Sequence, residues 1–198
     1  MIAEGCYYTS NVKKYMLRLF LFAIISEIPF NLIMGSSVFY PFHQNVLWTF
    51  LLGVLSIQII EKAKKKQKKW ISFFVVCLVL LMDFLLGTIT MVDYNAAGIL
   101  TVLLFYFFRK KTWISFAAQL VGLYYLNVVM LGNLYYPVTI LGHHFEIAQQ
   151  SFALLALIPI WLYHGEQGYH NKWFKYFCYA FYPVHLLILV VIWQWRIR

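Results

Sequence analysis

A chain of 198 residues that is 63% hydrophobic, 20% aromatic and only 12% charged lies far outside the soluble range of roughly 45–50% apolar and about 25% charged. It reads as an integral membrane protein. The formal net charge of +9 comes as short basic clusters between long apolar runs, which excludes a basic soluble domain that could hold nucleic acid and leaves the clusters as topology determinants.

Residues 1–15 lack the charged start, apolar stretch and small-residue cleavage site of a signal peptide, so the first span is expected to insert as it stands. With about twenty apolar residues per span, and shorter helices admitted inside a bundle, spans are predicted near residues 16–35, 45–60, 70–88, 94–108, 112–131, 146–163 and 176–195. The fold class is therefore all-α: a polytopic transmembrane bundle of about seven helices, one membrane domain over 1–198. The joints carry stop and start chemistry at Gly35-Ser36-Ser37, the lysine run 62–69, Asp93 ahead of Tyr94, Arg109-Lys110-Lys111, Gly132-Asn133 and Gly165 through Gly168. Segment 132–145, rich in Tyr and Leu, has room for a re-entrant piece.

Lys13, Lys14 and Arg18, the lysines of 62–69, Arg109 to Lys111, and Lys172 and Lys175 all fall on one side of this layout. Loops 36–44, 89–93 and 132–145 hold no Lys or Arg. The positive-inside rule puts the basic side and the N-terminus in the cytoplasm and the C-terminus outside, with Arg196 and Arg198 as exceptions. The lysine run also suits anionic lipid.

Within RLFLFAIISEIPF, residues 18–30, Ser26, Glu27 and Pro29 interrupt a spanning helix. A charged side chain there costs roughly 2.5–3.5 kcal/mol on insertion scales, and Pro29 removes a donor and displaces the Ile25 carbonyl. Such groups usually face a bundle interior. Asn45, Thr49, Asp83, Asn95, Asn127, Gln149, Gln150 and His185 are expected at the midplane or in the outer half of their spans, so a polar cavity open to the non-cytoplasmic side is inferred. His185, two residues after Pro183, has the parts of a general base if Glu27 or Asp83 holds its ring, although a hydrogen-bonded core histidine is the commoner case. Haem ligation would need a second intramembrane histidine. His143, His144 and Glu146 fit a solvated loop cluster better than a metal site, and Cys6, Cys77 and Cys178 have no thiolate-site spacing, so no metal is expected.

Several stretches stand out in order along the chain: Glu4-Gly5 with Thr9-Ser10-Asn11 and Lys13-Lys14, Arg18 with LFAIISEIPFNL, Asn45-Val46 with Trp48 to Leu51, Asp93-Tyr94 with Gly98, Gln150, Leu162 to Gly165 with Gly168, and Phe181-Tyr182-Pro183 with His185-Leu186. Together they resemble the TraX family of integral-membrane acyltransferases. The resemblance implies transfer of an acetyl or similar acyl group from cytosolic acyl-CoA, as co-substrate, to an amine or hydroxyl acceptor on the outer side of a bacterial inner membrane. The acceptor would be a protein N-terminus, a glycan or a small molecule. In that reading His185, Glu27 and Asp83 are catalytic, and Arg18, Asn45, Thr49, Asp93, Tyr94 and Gln150 bind substrate. The alternative for Arg18 is a snorkelling anchor.

Family members usually carry a further N-terminal helix with an Asp-His pair ahead of the Glu-Gly motif. Met1 stands at that motif here, with 1–15 as the remnant of a preceding helix and loop, so either a truncated product or a natural short form is expected. Tyr163-His164-Gly165 stands where Asn-Gly is more usual. A non-catalytic membrane scaffold and a proton-coupled small-solute transporter using Glu27 and Asp83 are the competing readings.

Overall fold

The computed structural model describes residues 2–132, 134–140, 143–164 and 171–197. Among these described residues eight α-helices run in chain order: α1 Ile2–Tyr8, α2 Val12–Gly35, α3 Val46–Lys66, α4 Lys69–Ile89, α5 Asn95–Phe107, α6 Trp113–Tyr124, α7 Leu157–Leu162 and α8 Lys172–Ile197. Among the described residues five helical stretches are long and apolar enough to cross a membrane, ending with Trp113–Met130 and Tyr176–Trp195; Asn95–Phe107 and Gln149–Leu162 are apolar but shorter. The protein is a multi-pass membrane bundle, and the two short helices are those predicted at 94–108 and 146–163.

Side-chain caps start the helices where the sequence offers them. Asn11 accepts from the Lys14 N–H at 3.0 Å, Asn45 from Leu47 at 3.1 Å and Thr112 from Ser115 at 3.2 Å. α2 passes through Pro29 without ending, because the ring lies buried in the bundle and neighbouring groups can compensate the lost bond. α6 loosens into a π-helix over Tyr125–Met130, where the Asn127 side chain bonds back to the Leu123 carbonyl at 3.0 Å.

Segment 132–145 differs from its expectation. It carries a β-hairpin, β1 Tyr135–Ile140 antiparallel to β2 His143–Ala148, in register Tyr135 with Ala148. Its aromatic and β-branched residues favour an extended ladder over a re-entrant helix. Residues 146–148 therefore belong to a strand, and the sixth helical stretch begins at Gln149 with a 3-10 segment to Ala156. The joint at Gly165 through Gly168, Asn133 and Arg198 lie outside the described residues.

α3 is central, packed on α2, α4 and α5, while α8 lies along α2 and α6 along α5. A core of Leu19, Val54, Ile57, Ile60, Val79, Val102 and Leu103 joins these helices, with Ala3 and Cys6 of α1 under it. The basic ends gather together: Arg109 sits 3.7 Å from Glu4 and 3.3 Å over the Tyr7 ring, and Lys111 donates to the Trp161 carbonyl at 3.0 Å.

α4 and α5 approach each other closely at Gly87. A Cβ there would stand 2.6 Å from the Ala96 Cα and 2.7 Å from its N, both backbone atoms that cannot swing aside. Small residues let membrane helices come this close. Gly87→Ala is expected to lower stability by about 1–3 kcal/mol through overpacking, read as a fall in melting temperature in detergent. An unchanged melting temperature would mean the α4–α5 contact is looser than described.

Candidate functional site

At the end of the bundle opposite the lysines, the loop before α3 and the α4–α5 turn are stitched together. Gln44 N–H donates to the Met91 carbonyl at 2.9 Å, Asp93 N–H to the Gln44 carbonyl at 2.9 Å, and Gln44 and Val92 form a parallel bridge. Among the described residues four non-glycines have positive φ, and three of them, Met91, Tyr94 and Asn95, lie in this turn. Each such conformation costs of order 1–3 kcal/mol and persists only where the surroundings over-determine it. Here the bridge and its flanking bonds do so, and they present the Asp93 side chain at a fixed place.

His43 meets that side chain. Its Nε2 lies 3.3 Å from Asp93 Oδ1, and its ring stacks on Phe30 of α2 with centroids 5.5 Å apart. The pair is only partly exposed, 37% for His43 and 24% for Asp93, so solvent reaches it while the rings hold it. With Asp93 accepting the Nε2 proton, the lone pair of the imidazole is at Nδ1. Burial pushes the Asp93 carboxyl above the usual carboxylate range, and the hydrogen bond and charge of His43 and the Tyr94 backbone N–H pull it back only in part. Burial and the Asp93 charge push the Tyr94 phenol up as well.

The Asp93 shift has a defined sign. Its proton is held more tightly in the folded chain than in the unfolded one, so this group withdraws stability as pH rises from the ordinary value through the raised one. Wild type should therefore lose stability relative to Asp93→Asn as pH climbs from about 4, read as the difference between their melting temperatures. A difference that stays flat over that climb would contradict burial as the dominant cause.

Beside the pair, Glu27 of α2 reaches across to α3. Its Oε2 accepts from the Asn45 side-chain amide and from Trp48 Nε1, the latter at 3.0 Å. Asn45 is fully buried and also donates to the Ala23 carbonyl at 2.9 Å. Thr49 Oγ1 donates to the Asp93 carbonyl at 2.8 Å, tying the turn to α3. From α8, Tyr182 comes within electrostatic reach of Glu27, Asp93 and Tyr94, and its phenol oxygen takes a bond from the Val46 N–H. Asn31 pins the loop from the other side, donating to the Val38 carbonyl at 3.1 Å. Among the described residues, three acceptor-capable atoms of α2 here are buried without a partner: Ser26 Oγ, Glu27 Oε1 and Asn31 Oδ1.

The structure thus brings together Glu27, Asn45, Thr49, Asp93 and Tyr94 from the sequence-derived set. The three residues expected to act jointly, Glu27, Asp83 and His185, each take different hydrogen-bond partners. Asp83 pairs with Ser56 of α3, Ser56 Oγ donating to Oδ1 at 2.6 Å, and its Oδ2 is buried without a partner among the described residues. Ser56 stands eight residues beyond Trp48, so Asp83 lies about 12 Å deeper along α3 than Glu27 at 1.5 Å per residue. His185 places Nδ1 3.1 Å from the Phe181 carbonyl of its own helix and stacks on the Phe181 ring at 5.2 Å. Among the described residues no hydrogen bond joins it to Glu27 or Asp83. An i−4 carbonyl of its own helix is an acceptor always within reach of a helical side chain, and His185 uses it.

Arg18 is spent toward α8, its Nε donating to Tyr179 Oη at 3.0 Å. Gln150 is half-buried in the first turn of the 3-10 segment and makes no hydrogen bond to the cluster among the described residues. His144 Nδ1 lies 2.9 Å from Thr139 Oγ1 across the hairpin, and among the described residues no group of three metal-ligating side chains could hold an ion.

Sequence reasoning missed His43, Trp48 and Tyr182 as site residues. A signal for His43 existed: it stands just before the α3 cap Asn45, as Asp93 stands just before α5, and α3 and α5 start at the same end of an up-and-down bundle. A family model described as TraX protein matches residues 1–193. No curated protein and no solved structure matches the chain.

Proposed function

Because the chain belongs to the TraX family over residues 1–193, we propose that it is a membrane acyltransferase that moves an acetyl or similar group from cytosolic acyl-CoA to an amine or hydroxyl acceptor arriving from the other face. The basic end faces the cytoplasm in this reading, as the charge pattern favours. The observation that carries it is a set of buried acceptor atoms, Glu27 Oε1 and Asn31 Oδ1, which find no donor among the described residues and lie beside a His–Asp pair. An unmade bond of this kind costs about 1–3 kcal/mol, and an acceptor amine or hydroxyl would supply the missing donor.

Glu27, fixed by Asn45 and Trp48, orients the nucleophile. His43 takes its proton at Nδ1, and Asp93 stabilises the imidazolium that forms. The nucleophile then bonds to the acyl carbon, the thioester C–S bond breaks, and the proton leaves with CoA thiol. Tyr94, Tyr182 and Thr49 close the site around the acceptor. His185 is the second candidate for the base, with its Nε2 available, and Asp83 acts with Ser56 to position α3 against α4.

The experiment is transfer of labelled acetyl from acetyl-CoA, supplied at one face of proteoliposomes, to amine or hydroxyl acceptors supplied at the other. Covalently labelled acceptor is the expected result. Acceptor uptake without a covalent product would favour a transporter, and neither uptake nor label would favour a scaffold.

A further inference from the structure

Six lysines fall within residues 62–69, where α3 passes into α4. Much of such a run is a solvated face with a general attraction for an anionic leaflet. One part of it is shaped. Lys64, Gln67, Lys69, Ser72, Phe73 and Val76 line an open groove at the turn.

The groove is held in place. Lys64 Nζ donates to Tyr106 Oη at 3.0 Å and lies 4.8 Å over that ring, and Tyr106 in turn donates to Glu61. The ammonium is therefore fixed at the groove, with two further N–H donors to offer. Ser72 Oγ donates to the Ala63 carbonyl at 3.0 Å, which locks the first turn of α4 onto the last turn of α3. The wall running away from the lysines is apolar: Phe73 is 65% exposed, and Trp70 and Phe74 extend the same lipid-facing surface.

A ligand matching both parts is an amphiphilic anion. A free phosphate would leave the Phe73 and Val76 wall wet, and a zwitterionic lipid would bring its own cation against the lysines. We propose that the groove binds an anionic phospholipid, its phosphate between Lys64 and Lys69 and an acyl chain along Phe73 and Val76. The bound lipid would anchor the α3–α4 turn at the headgroup level, independently of the chemistry at the other end of the bundle.

The test is native mass spectrometry of the purified full chain with phosphatidylglycerol or phosphatidylcholine added at equal concentration. Retention of phosphatidylglycerol over phosphatidylcholine is expected, with loss of roughly 30-fold in affinity in Lys64→Gln/Lys69→Gln, at about a fivefold factor per lysine. Lys69→Gln alone, which spares the Lys64–Tyr106 bond, should lose about fivefold. Lys65→Gln/Lys68→Gln removes the same charge outside the groove and should retain most binding. Equal loss in both double variants, or equal retention of the two lipids, would overturn the groove in favour of a diffuse basic face. Displacement of the lipid by millimolar inorganic phosphate or by coenzyme A would overturn it in favour of a soluble phosphate ligand.

Discussion

Asn45→Ala is expected to destabilise the bundle by about 3 kcal/mol, the largest stability loss of any single polar substitution here. The helix cap it supplies to Leu47 is worth roughly 1 kcal/mol. Its side-chain amide also bridges α3 to α2 through the Ala23 carbonyl and the Glu27 carboxylate, and interhelical bonds of this kind in membranes average about 0.6 kcal/mol each. The remainder comes from Glu27, which among the described residues would keep only Trp48 as a donor to its carboxylate while its other oxygen is already unpartnered. Reversible unfolding in mixed micelles or bicelles measures the effect. The control is a double-mutant cycle with Glu27→Gln, in which the two losses should fall short of additive by about 1 kcal/mol or more. A loss in Asn45→Ala below about 1 kcal/mol, the value of the cap alone, would mean that Asn45 does not bind Glu27 in the folded protein.

His43→Ala is expected to lower acyl transfer by about 10²- to 10⁴-fold, the usual contribution of a positioned general base, with the fold retained. The ring is held from two sides, by Asp93 Oδ1 at 3.3 Å and by the face of Phe30, and that fixed geometry is what a base requires. Asp93→Asn should share most of the loss, because an amide can present its N–H and turn the ring to the wrong tautomer. The limb of the pH–rate profile that reports the base should disappear in His43→Ala and shift in Asp93→Asn. His185→Ala, tested beside them, separates the two candidate bases. A loss confined to His185→Ala would move the base to α8, and full rates in both histidine variants would remove histidine from the reaction.

The helices themselves were open to reading because their signal is local and additive. Twenty apolar residues span a bilayer whatever their neighbours are, so the long helices lie where they were predicted, although α3 runs past its predicted end at 60 into the lysine run and stops at Lys66. A cap such as Asn45 or Thr112 acts within its own turn. The hairpin at 135–148 escaped because its Tyr, Val, Thr and Ile residues are as apolar as a helix, and only the period of their exposure distinguishes the two. The site was half legible. A carboxylate inside a span had to find donors, and Glu27 found two on α3.

By itself the sequence determined that this is a multi-pass helical membrane protein of the TraX family, with its basic residues gathered in short clusters between apolar runs. Hydropathy, span length and charge are properties each segment carries alone. Tertiary structure alone decided which polar groups meet. His43 joins Asp93 across 50 residues, while Asp83 turns to Ser56 and His185 to its own helix. The reason is that partnership depends on how each helix is rotated about its axis and on which ends a loop brings together, and a hundred degrees of rotation per residue sends neighbouring side chains to different partners.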